Sequence, residues 1–168
     1  MLRYVTAVRL SLRTGNSYSA LFLALSLPDI CGRLEDPKKD SRERYEYWFR
    51  TYMAGIYPSS FLTPEDCYAL RCAVLHEGAG DISNQRSKKI LDEVCFLSPD
   101  SHGLHGFVPG HCNRLTNVAI GSREFGEALF LHVNNFCEDM CKGVEKWLVD
   151  VARNPDIQTR MKDLLTIY

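Results

Sequence analysis

Apolar and polar positions alternate along the first half of the chain with the period of amphipathic helices. Tyr4, Val5, Val8 and Leu12 recur at helical spacing and predict a helix over 3–13. Gly15-Asn16 breaks it, with Asn16 or Ser17 as the next N-cap. The following stretch, "YSALFLALSL", is apolar nearly all round, which predicts a buried helix. Pro28 is expected to end or kink it, because proline has no N–H to donate and crowds the preceding turn. "DICGRLE" continues as a further turn or two, and "EDPKKDSRE" reads as a solvated loop. Beyond it, Tyr45, Trp48, Phe49 and Tyr52 fall at i, i+3, i+4 and i+7, the signature of a buried helix face. The same stripe has the composition of a base-stacking surface, but the spacing favours core or subunit interface.

The best-punctuated helix is "PEDCYALRCAVLHE". Thr63 is placed as N-cap, Pro64 as first helical residue, and Glu65 and Asp66 as acids at the positive helix end. Asp66 stands where a capping box puts its acid, and Gly78 supplies a left-handed stop. Further on, "KKILDEVCFLS" reads as a helix end running into a strand over 93–97, and "SPDSHGLHGFVPGHC" as an irregular loop. "NRLTNVAIG" is expected to pair with the first strand as a small hairpin. From Arg123, apolar residues at Phe125, Leu129, Val133, Phe136, Met140, Val144 and Trp147 or Leu148 predict one long amphipathic helix. It should end near Asn154-Pro155, with a short terminal helix after it. The expected architecture is a single all-α domain over 1–168: an antiparallel helical bundle of five or six helices with a small β-hairpin insertion.

Composition narrows the function classes. Twenty basic residues against 21 acidic ones give a formal charge of −1 over 168 residues, so bulk positive charge does not hold nucleic acid here. The seven cysteines (31, 67, 72, 95, 112, 137 and 141) are scattered through predicted helix and strand interiors, unlike a disulfide framework. With no membrane-length apolar run and no clear cleavage site in the first 27 residues, the expectation is a cytoplasmic protein without a membrane span.

The candidate chemistry lies late in the punctuated helix, at Arg71 and His76. On an ideal helix five residues sweep about 500°, leaving the two Cα positions about 140° apart, so an Arg must bend around the helix to reach the His. His76 sits near the negative helix end and suits general acid–base work near neutral pH. The planar fork of Arg71 suits phosphate oxygens and the charge of a phosphorane-like transition state. The bland alternative is an Arg paired with Asp66 or Glu77 and a His capping carbonyls. A zinc site from His102, His105, His111 and Cys112 with Cys137 and Cys141 is disfavoured by spacing, since the last two lie at i, i+4 within a helix. Cys72 with His76 as a nucleophile pair lacks an orienting third group.

"YALRCAVLHEG", an Arg followed by four residues and a His in a capped helix of a helical protein, resembles the HEPN superfamily, whose signature is R-x4-6-H. "LALSLPDICG" also looks like proteins of that kind. The resemblance implies a helical domain that pairs as a homodimer, with two copies of the motif facing one another. It implies a metal-independent RNA endonuclease of defence, toxin–antitoxin or RNA-regulatory systems, with no cofactor and no metal. Arg71 would stabilise the scissile phosphate and His76 would move protons; RNA is the implied substrate and an antitoxin or other protein the implied partner. Two positions depart from the pattern: Cys72 stands where active members commonly carry a polar Asn, Asp or His, and Gly78 stands where the nucleotidylated subgroup carries Tyr. The resemblance therefore also admits a catalytically inactive bundle that serves as a dimerisation or RNA- or protein-binding module.

Overall fold

The computed structural model describes residues 1–98, 112–120 and 122–167. Six helices and three strands follow in the order α1 (Leu2–Arg13), α2 (Ser17–Glu35), α3 (Ser41–Met53), α4 (Pro64–Glu77), β1 (Glu93–Leu97), β2 (Cys112–Ile120), β3 (Arg123–His132), α5 (Val133–Asp150) and α6 (Pro155–Lys162). The protein is mostly helical, and α2 is its hub, touching α1, α3, α4, α5 and α6. Nine of its residues between Ala20 and Leu34 are buried, but Tyr18 and Phe22 are exposed, so the apolar stretch "YSALFLALSL" is covered on most sides and not on all.

Pro28 neither ends nor interrupts α2, contrary to the simplest reading of a helix-interior proline. The lost hydrogen bond and ring crowding cost about 3 kcal/mol in an exposed helix. Here Leu25, Leu27, Pro28 and Cys31 are all buried against neighbouring helices, and packing holds the helix together. The aromatic stripe of α3 is core: Tyr45 and Trp48 are fully buried, with Phe49 and Tyr52 nearly so. Gly143 of α5 lets that stripe approach, since a Cβ there would stand 2.8 Å from Trp48 Cη2 and 2.9 Å from Met53 Sδ.

The strands depart further from expectation. β1 and β2 form no hairpin; both pair with β3, giving the order β1-β3-β2 with β1 parallel and β2 antiparallel to the centre. Residues 123–132 are thus strand, and α5 begins only at Val133. Ala128, Leu129, Phe130 and Leu131 are buried in succession, as a central strand covered on both faces requires. The i, i+4 spacing of apolar residues that suggested a helix there is shared by such a run. The short helix also ends earlier, at Lys162. The expected helix end at 88–92 is irregular, and the loop read over 98–112 lies almost wholly outside the described residues.

Asp66 explains that irregular segment. Fully buried, it accepts the Thr63 hydroxyl at 2.7 Å and the backbone N–H groups of Lys89 at 2.6 Å and Ile90 at 3.1 Å, with Leu91 at 3.4 Å. The acid predicted to serve its own helix instead captures the chain 23 to 25 residues later. Gly80 then pairs with β1, its carbonyl accepting Val94 N–H at 2.9 Å, and Ile82 N–H reaches Asp92 at 2.9 Å. The exit of α4 is thereby tied to the sheet.

Candidate functional site

The ends of α4 form as its residues dictate. Thr63 Oγ1 accepts Asp66 N–H at 3.0 Å, Pro64 opens the helix, and Gly78 closes it at φ 69°, a left-handed conformation that costs an L side chain about 1 kcal/mol or more. Arg71 and His76 occupy the last two turns, and the side chains meet: Arg71 Nη1 lies 3.2 Å from His76 Nε2. The Arg side chain therefore spans the angle that separates the two Cα positions. Nε2 accepts from the guanidinium in the tautomer that carries its hydrogen on Nδ1. His76 is exposed, and the Arg71 side chain retains 19 % of its surface.

The other edge of Arg71 faces inward. Its Nε lies 2.6 Å from Asp29 Oδ2, an ion pair whose N–H is directed off the oxygen rather than an aligned hydrogen bond. Asp29 follows Pro28 on α2, and its second oxygen accepts the Ser41 hydroxyl of α3 at 2.6 Å. Three helices thus converge on one guanidinium. Burial opposes the Arg71 charge, but the Asp29 carboxylate and Cys72 together more than offset it, and the group stays above its ordinary range. Tyr68, one turn before Cys72, has its phenol pushed up by burial, with Cys72 and Asp29 adding to the effect. Its ring meets Tyr45 edge-on at 5.5 Å, and Tyr45 in turn contacts the buried thiol of Cys67 at 3.5 Å.

Asp29, which pairs with Arg71, and Ser41, which bonds Asp29, were not legible as site residues. The bland pairing with Asp66 or Glu77 is not what forms: Asp66 is committed to Thr63 and to 89–91, and Glu77 accepts from Gln85 at 2.9 Å. The signal for Asp29 was a carboxylate inside an otherwise apolar helix, and Ser41 carried none. Cys137 and Cys141 are buried on α5, and no cluster suited to a metal ion occurs among the described residues. His102, His105 and His111 lie outside those residues, as does the side chain of Cys112. No described helix is long and apolar enough to cross a membrane.

No family model matches this chain, nor does any curated protein or solved structure. The arrangement offers a proton acceptor in solvent, a cation against it, and a carboxylate and hydroxyl behind the cation. Together these can bind an anion and move a proton beside it.

Proposed function

We propose that the chain is a HEPN-type, metal-independent RNA endonuclease that acts as a homodimer in a defence, toxin or RNA-regulatory setting. The observation that carries this reading is the contact of Arg71 Nη1 with the exposed imidazole of His76 at 3.2 Å. In RNA the ribose 2′-hydroxyl is the nucleophile, so the protein needs to supply only proton transfer and charge stabilisation. Arg71 turns its Nη edge from His76 to the non-bridging oxygens, where negative charge grows, and the Nε2 lone pair so freed takes the 2′-hydroxyl proton as that oxygen attacks phosphorus. The imidazolium of His76 hands that proton to the departing 5′-oxygen, and the product ends in a 2′,3′-cyclic phosphate. A helical bundle pairing two copies would set two such motifs on one RNA strand. The near-zero net charge implies a grip confined to a few phosphates.

A second reading has its own observation. The Asp29 carboxylate at 2.6 Å already answers the Arg71 charge, and Cys72 follows the Arg, which suits a silent module that dimerises or binds a partner. Incubating the purified protein with total RNA in EDTA separates the two. The nuclease reading expects cleavage that falls by about 100-fold or more in His76→Ala and Arg71→Ala, as loss of a general base or of a charge stabiliser costs. Wild-type protein that cuts no RNA across salt and pH supports the silent module.

A further inference from the structure

Behind Arg71 lies Asp29. It stands on α2, in a different element from the motif, and at 15 % exposure its side chain is mostly withdrawn from water. A carboxylate there is costly unless it is paired. Both its oxygens are in close contact: Oδ2 with Arg71 Nε at 2.6 Å and Oδ1 with the Ser41 hydroxyl at 2.6 Å. Ser41 is the first residue of α3, whose N-terminal end favours negative charge, and Asp40 caps it by accepting Glu43 N–H at 3.0 Å. Asp29 is thereby fixed from α3 while it holds α4.

An arginine side chain has about 2 kcal/mol of rotamer entropy to lose, and its fork is directional only when one edge is fixed. With Nε against a carboxylate, the terminal nitrogen Nη1 is left to meet His76. Cys72 on α4 and Tyr45 on α3 also act on the guanidinium without supplying a second carboxylate. Asp29 is therefore the group that sets the direction of Arg71.

We propose that Asp29, anchored by Ser41, is a positioning residue that clamps the Nε edge of Arg71 so that its Nη edge faces His76 and an incoming phosphate. This rests on the nuclease reading for its catalytic consequence, but the clamp can be measured without it. Asp29→Asn keeps the shape and an acceptor for Ser41 while removing the charge; Ser41→Ala removes the anchor alone and guards against a misfolded Asn variant.

Two readouts decide. In metal-free RNA cleavage, kcat is expected to fall about 10- to 100-fold in Asp29→Asn with KM within about twofold, with Asp29→Glu recovering part of the loss. In nitrogen-15 NMR of the RNA-free protein, the Arg71 Nε–H signal, identified by its loss in Arg71→Lys, is expected to exchange slowly with water. In Asp29→Asn it exchanges at the rate of an exposed arginine, and in Ser41→Ala at an intermediate rate. Unchanged kcat in Asp29→Asn overturns the proposal. If the wild type cuts no RNA, the nuclease reading fails on its own, and the NMR arm decides: equal exchange in wild type and Asp29→Asn overturns the clamp.

Discussion

Arg71 shows how one side chain joins two groups, with its inner edge against Asp29 of α2 and its outer edge against His76 of its own helix. Asp66, one turn earlier on α4, is wholly structural. It gathers backbone N–H groups from Lys89, Ile90 and Leu91, and each buried donor left without a partner costs ~1–3 kcal/mol. Asp66→Ala is therefore expected to lower stability by about 3 kcal/mol in urea unfolding. It should also speed amide exchange at 89–91, where an unchanged urea midpoint would contradict the assignment. The caps of α4 were readable from Thr63, Pro64 and Gly78 because capping is local. The distant partners, residues 89–91 for Asp66 and Asp29 for Arg71, were not, because 23 or more residues separate each pair and none of these partners lies on α4.

At the scale of elements, α3 and α5 show packing at its tightest. Gly143 faces Trp48 and Met53 at distances no Cβ tolerates, and the obstructing atoms belong to fully buried side chains. Gly143→Ala is expected to destabilise the protein by about 1–3 kcal/mol through overpacking, although alanine favours helix. Calorimetry of the variant checks this, and a raised Tm would show that the helices part freely. Elements whose burial is one-sided were legible from period alone, as the Tyr45, Trp48, Phe49 and Tyr52 stripe shows. β3 was not. Buried on both faces over 128–131, it has no polar alternation, and a short continuous apolar run reads equally well as helix. Pro28 misled for the related reason that local propensity yields to packing in a helix enclosed by its neighbours.

For the whole molecule, burial of thiols and pairing of carboxylates set the pH range of stability. Burial pushes the thiols of Cys67, Cys137 and Cys141 from an ordinary 9.0 up to about 12. A raised folded-state value means that their contribution is complete below pH 9 and is lost as pH climbs toward 12. On the acid side, Arg9 of α1 holds Glu145 of α5 below its ordinary 4.5 through a 2.5 Å contact. That contribution is present above pH 4.5 and disappears as pH falls through the depressed value. The urea midpoint should thus drop beyond both limits, with Cys67→Ala and Cys137→Ala flattening the alkaline fall. A midpoint that declines steadily from neutrality would contradict it.

The central claim is that an arginine–histidine pair on one helix end cleaves RNA through the ribose 2′-hydroxyl, without metal. Its most direct test is a single measurement in EDTA: a defined RNA and its fully 2′-O-methylated counterpart, each incubated with wild type and His76→Ala, with the product ends identified by mass. The pair predicts RNA cut to a 2′,3′-cyclic phosphate by wild type alone, and the methylated strand intact. Cleavage of both strands, or equal cleavage by the His76 variant, would contradict it.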